Sequence, residues 1–280
     1  MRAREFTLLE GGHALNKLGV NAIDVTPINY KQVRNYLEPI LKKLGLKPIW
    51  TMGGSGSWNP EHPYYTTNTI KTISSDVDVM IDTTDLMVTF PPDEPKKPAT
   101  DLAKALTAKL GSSRAKLEDY FKKLNLPVLR SGVSVHVGIP VNDDYVQVDI
   151  MAVENAAHAI GGHEHDYSTD QGMSGGVLHG GMWADLARAS VNPLTGESKI
   201  IDAKGQANSA LQLSPYKGLV DRATGKLLYP WSQKDNIAKI IIGSDATKDD
   251  MSSYSRLYKA LQKYPAKLAA VRQHFPQDMK

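Results

Sequence analysis

Ser75-Asp76-Val77-Asp78-Val79-Met80-Ile81-Asp82 is the stretch on which the reading turns. From Asp76 to Asp82 polar and apolar residues alternate, with Val77, Val79 and Ile81 on one face and Asp76, Asp78 and Met80 on the other. That is the period of a half-buried strand. Aspartate is disfavoured among β-branched neighbours in a strand, so two of them on one face ask for a reason. Residues two apart lie about 6.5 Å from one another at the backbone, close enough for their carboxylates to share divalent cations.

Upstream, Lys47 to Met52 reads as a short strand that runs into Gly53-Gly54-Ser55-Gly56-Ser57. Taken alone, that run is a flexible turn. It is not a Walker A loop, because no Gly-Lys-Ser/Thr follows. Downstream, Gly132 to Ile139 and Tyr145 to Met151 form a hairpin turning at Asn142-Asp143-Asp144. Asp149 sits on its polar face, between Val148 and Ile150. If its strand lies beside the first, three acids converge. Pairing Pro140 with Tyr145 sets His136 opposite Asp149, so Ser134 or His136 is expected to line the same face.

These residues resemble the nucleotidyltransferase superfamily that includes DNA polymerase β, poly(A) polymerases, CCA-adding enzymes and oligoadenylate synthetases. The family pattern is a Gly-Gly-Ser turn, an Asp-apolar-Asp-apolar strand and a third Asp between apolar residues on a later strand. Met52-Gly53-Gly54-Ser55, Ser75-Asp76-Val77-Asp78-Val79 and Val148-Asp149-Ile150 follow it in order, over residues 45–153. The resemblance implies an α+β fold: a nucleotidyltransferase-type mixed sheet with flanking helices, followed by a mainly helical second domain. It implies two Mg²⁺ (or Mn²⁺) ions and an NTP, ATP foremost, as substrate. Asp76 and Asp78 would hold both ions. Asp149 would hold one of them and help deprotonate the attacking hydroxyl. Gly53 and Gly54 would let the backbone approach the phosphates, and Ser55 would hydrogen-bond them. The chain departs from the pattern in the 20 residues between Ser55 and Asp76. It also lacks a basic residue directly after the turn, a role that Lys71 could take. In related enzymes the second domain contacts the nucleotide, which makes Tyr216 and Lys217, in the turn Ser214-Pro215-Tyr216-Lys217-Gly218, candidates for stacking and phosphate contact.

The rest of the chain bounds these expectations. Its 280 residues suit one large domain or two modest ones, read here as 1–155 for catalysis and 156–280 for nucleotide or acceptor binding. With no cysteine, disulfides, iron–sulfur clusters and thiol catalysis are excluded. No apolar run is long enough for a membrane helix, and Met1 to Gly12 lacks a secretory apolar stretch, so a soluble cytoplasmic protein is expected. Net charge is only +3, but it is unevenly placed. Residues 76–94 hold six acids and residues 143–170 hold seven, with no Lys or Arg in either. Residues 96–130 carry nine Lys/Arg against three acids. Acidic segments between basic ones suit a site that binds cations and then a polyanion, although a basic helix face is equally explained by solvation. Arg256, Lys259, Lys263, Lys267 and Arg272 offer contacts to an RNA acceptor on the same terms.

Four further expectations concern structure. Tyr30 to Leu44 is a helix, with a kink or restart at Pro39. Asp101 to Leu110 and Arg114 to Leu124 are two helices broken at Gly111-Ser112-Ser113. Val177 to Ala189, Asn236 to Ile242, Met251 to Lys263 and Ala266 to Phe275 are helices, with short strands around Lys199–Ile201 and Lys226–Tyr229 between them. His158, His163 and His165 lie in a solvated loop kept flexible by Gly161, Gly162, Gly172, Gly175 and Gly176. The same carboxylates would also serve a metal-dependent phosphohydrolase, or a nucleotide- or RNA-binding module without turnover.

Overall fold

The computed structural model describes residues 14–65, 72–93, 102–166, 168, 178–202 and 205–275. The chain forms two compact units. Residues 1–59 and 72–156 make the first; residues 60–71 and 157–280 make the second.

In the first unit, helix α1 (Pro27–Lys43) starts where Thr26 accepts a hydrogen bond from Asn29 N at 3.3 Å and Pro27 fills the first turn. It runs through Pro39 without a restart. Pro39 lies on the exposed side, so the carbonyl that loses its donor faces water, while Tyr30, Val33, Leu37 and Leu41 continue the buried stripe. The expected strand at 47–52 reduces to one bridge, Ile49 with Met80, followed by the one-turn helix α2 (Gly53–Gly56). Strand β1 (Val77–Asp82) and helix α3 (Thr83–Thr89) come next.

Helix α4 (Leu102–Lys123) is one helix of 22 residues, not two. A glycine inside a helix costs only about 1 kcal/mol relative to alanine, and Leu117 and Phe121 beyond it are fully packed in the core. Strands β2 (Val128–Ser131), β3 (Ser134–Val141) and β4 (Asp144–Val153) complete the sheet, in the order β1-β4-β3-β2. β1 and β4 are parallel, and the other pairs are antiparallel. The β3–β4 turn places Asn142 at φ 55°, a backbone region asparagine tolerates. Val77, Val79, Ile81, Val135, Val137, Val148 and Ile150 pack with the apolar faces of α1 and α4. The opposite face of the sheet is the one that carries the acids.

The second unit combines helices with two small sheets, with strands at both of the stretches expected to be extended, near 199–201 and 226–229. Helix α5 (Ala156–Ala159) starts at the last residue of the first unit, and helices α6 (Ala184–Arg188), α7 (Lys234–Ile241), α8 (Tyr254–Leu261) and α9 (Pro265–Val271) follow, with five short strands among them. β5 (Lys199–Ile201) pairs with β6 (Ala207–Ser209). β7 (Leu211–Ser214), β8 (Gly218–Asp221) and β9 (Leu227–Pro230) form a second small sheet. The helix expected over 177–189 is a π-turn, Leu178–Trp183, leading into α6. Trp183, Trp231, Leu186, Ile237, Leu257 and Phe275 build this unit's own core. No helix among the described residues is long and apolar enough to cross a membrane.

Candidate metal centre

The sheet register assembles the site. Asp78 lies directly beside Asp149 across the parallel β1–β4 pair, and Asp76 precedes β1 by one residue. Parallel neighbours in register present equivalent residues to the same face, so the third acid joins the first two. One carboxylate oxygen from each of Asp76, Asp78 and Asp149 lies within 4.8 Å of the others. Asp76 is 8% exposed, Asp149 3%, and Asp78 is half-buried.

Two ionised carboxylates 4.8 Å apart repel by roughly 3 kcal/mol at an effective dielectric near 20. A divalent cation converts that repulsion into attraction. The donor set is all oxygen and all carboxylate, which suits a hard ion such as Mg²⁺ or Mn²⁺ and not a soft one. These three residues can hold a metal ion.

Asp149 is oriented from behind. Its Oδ1 contacts His136 Nδ1 at 2.7 Å and accepts from Gln147 Nε2 at 2.8 Å. His136 faces Asp149 in the β3–β4 register, and Ser134 faces Met151. Gln147 was not among the sequence candidates. Strand alternation alone would have put it on the Asp149 face, two residues upstream.

The Gly-Gly-Ser segment meets this cluster through Gly53. Its φ is +60°, and a Cβ built there would fall 2.2 Å from Asp78 Oδ2. Only glycine lets this backbone lie against the carboxylate without displacing it. Gly54 O accepts from Ser57 Oγ at 2.7 Å, which ties the turn to itself. Ser55 is fully buried, and its Oγ makes no hydrogen bond among the described residues. At the far end of β1, Asp82 Oδ1 accepts from Ala156 N at 3.0 Å, so this acid caps a backbone donor.

The remaining candidates fall on the second unit or outside the described residues. Lys71 falls outside the described residues. Tyr216 and Lys217 lie in the β7–β8 turn of the second unit; Lys217 is exposed, and the Tyr216 ring stacks on His163 at 5.6 Å between centroids. The histidine segment is not a solvated loop. His158 is exposed, but His165 is buried against Trp183, and His163 is half-buried with its ring stacked on Tyr216. Nor do Gly161 and Gly162 confer flexibility: a Cβ on either would strike Trp231, at 2.7 Å and 2.6 Å respectively. Gly161 leaves room for the Trp231 backbone carbonyl, and Gly162 for its indole. Gly172, Gly175 and Gly176 fall outside the described residues.

Burial holds the His163 imidazole at about 4, below its usual 6.5. His62 is likewise held at about 4, by burial and then by the nearby Lys234 ammonium. Lys234 is itself pushed down to about 8 by burial; its Nζ lies 5.0 Å from the Trp183 ring centroid and donates to Glu164 O at 3.2 Å. Nothing in the local sequence marks Lys234 as buried, because exposed lysines are common on short helices.

Comparison with family models, with curated proteins and with solved structures finds no match for this chain.

Proposed function

We propose that the chain is a metal-dependent nucleotidyltransferase that moves NMP from an NTP to a hydroxyl acceptor and releases pyrophosphate. The observation that carries this reading is the meeting of Asp76, Asp78 and Asp149 within 4.8 Å, on neighbouring parallel strands, with Gly53 against Asp78. A Gly-Gly-Ser turn beside such a triad is the pairing that the sequence resemblance leads one to expect.

In this reading Asp76 and Asp78 would hold two Mg²⁺ or Mn²⁺ ions, and Asp149 would hold one of them and help deprotonate the acceptor hydroxyl. The ions would supply charge stabilisation on the triphosphate and a more acidic acceptor hydroxyl. The backbone at Gly53 and Gly54 borders the phosphate side, where a side chain would intrude. Asp149, fixed on one oxygen by His136 and Gln147, keeps its other oxygen for the centre. ATP is the foremost donor, and an RNA 3′ end, a nucleotide, a small molecule or a protein side chain is the acceptor.

The test is incubation with labelled NTPs, Mg²⁺ or Mn²⁺ and a mixed RNA pool. Label attached to an acceptor is expected. Free phosphate would instead indicate hydrolysis, and bound unchanged nucleotide a binding module. Asp149→Asn should lower transfer by at least about 100-fold, in line with removing a residue that acts at the reacting centre, while the thermal midpoint stays within a few degrees. An unchanged rate would refute the role given to Asp149.

A further inference from the structure

We infer that His136 and Gln147 are positioning residues for Asp149, and that the backbone of Leu15 sets the direction in which Gln147 points. The inference rests on the metal-centre reading and adds to it the groups that aim the third ligand.

Three contacts form one directed chain. Leu15 N donates to Gln147 Oε1 at 3.2 Å. With its carbonyl end taken, the Gln147 amide presents its NH₂ end to Asp149 Oδ1, at 2.8 Å. His136 Nδ1 approaches the same oxygen at 2.7 Å. A carboxylate is an acceptor only, so Nδ1 carries the proton in that contact. His136 is 1% exposed, Gln147 0% and Asp149 3%, so water does not compete for these bonds.

The consequence lies in which oxygen is used. Both donors fall on Oδ1, and Oδ2 takes no hydrogen bond among the described residues. A carboxylate pinned on one oxygen by two donors from the strand cannot rotate freely about its Cβ–Cγ bond. Oδ2 is therefore the oxygen offered to a cation shared with Asp76 and Asp78. Groups behind a metal ligand commonly change affinity by 10–100-fold when removed. The N-terminal turn Ala14–Leu18 joins the site through this chain, although it carries no acid.

Side-chain shape provides the test. The amide nitrogen of asparagine can occupy the place of histidine Nδ1, whereas that of glutamine falls near Nε2. Mn²⁺ binding to the full chain is followed by electron paramagnetic resonance, with circular dichroism to verify folding. His136→Asn should keep Mn²⁺ affinity within about 3-fold of wild type, while His136→Gln and Gln147→Glu weaken it about 10–100-fold. Nitrogen-15 spectra of the imidazoles should show His136 protonated at Nδ1 in the wild type, and this signature should be lost in Asp149→Leu. If a variant fails to fold, the imidazole spectrum of the wild-type protein still decides: an Nε2-protonated His136 would overturn the inference. So would equal Mn²⁺ affinity in wild type and His136→Gln, with Asp149→Asn impaired. Wild-type protein that binds no Mn²⁺ would overturn the metal-centre reading, and this inference with it.

Discussion

Replacing Gly53 by alanine separates the geometry of the site from the stability of the fold. The added Cβ would lie 2.2 Å from Asp78 Oδ2 and 3.2 Å from its Cγ. Non-bonded carbon and oxygen keep roughly 3–3.5 Å apart, so one of them must move by about 1 Å. The obstacle is the end of a half-buried side chain, not backbone, so the Asp78 carboxylate swings away. Stability then suffers mainly from placing alanine at φ +60°, about 1–2 kcal/mol, which corresponds to a few degrees in thermal midpoint. The metal centre loses more. A shift of about 1 Å exceeds the roughly 0.5 Å tolerance of a preorganised site, and a fall in Mn²⁺ affinity of at least about 10-fold, or 1.4 kcal/mol, is expected. Gly19→Ala is the matched control: its φ is +72°, and nothing lies within 4 Å of the added Cβ. It should cost similar stability and leave Mn²⁺ binding intact. Titration by paramagnetic resonance, with thermal melts of both variants, reads the two quantities separately. Equal Mn²⁺ affinity in Gly53→Ala and Gly19→Ala would refute the placement of Gly53 against the site.

Two further outcomes concern the second unit. His62 and His163 are neutral when folded, with values near 4 against 6.5. Between pH 6.5 and 4 the unfolded chain binds more protons, so stability present above pH 6.5 is lost as pH falls through 4. His163→Phe should reduce the stability lost between pH 7 and 4.5 by roughly 2 kcal/mol, read from urea midpoints by tryptophan fluorescence; an unchanged pH dependence would count against a buried neutral imidazole. Gly162→Ala places a Cβ 2.6 Å from the Trp231 ring and should cost about 1–3 kcal/mol by overpacking. A melting profile identical to wild type would contradict the close packing of that indole.

The acids were legible because strand alternation is a strict two-residue code. Asp76 and Asp78 had to share a face, and the turn at Asn142 fixed His136 opposite Asp149. That β4 lies beside β1, and in parallel, was not legible, since pairing partners leave no mark in either strand. The break expected at Gly111 and the restart offered at Pro39 were local preferences overridden by packing: in both cases apolar residues beyond that point are buried on the same helix. In the second unit the apolar runs at Lys199–Ile201 and near Lys226–Tyr229 marked two of the strands, whereas the other three, at three or four residues each, are too short for alternation to register. The histidines at 163 and 165 looked solvated because their neighbours are glycines. What Gly161 and Gly162 accommodate, the backbone and the ring of Trp231, lies some 70 residues further along.

The path of the chain between its two units has a practical result. Residues 60–71 belong with 157–280, although they are embedded in the sequence of the first unit. The polypeptide therefore passes from one unit to the other three times, and no single scission yields both halves intact. A fragment ending near residue 156 would carry a stray piece of its neighbour, and one beginning there would lack it, leaving His62 and Tyr64 behind. Dissecting this protein demands excision and religation of that internal segment.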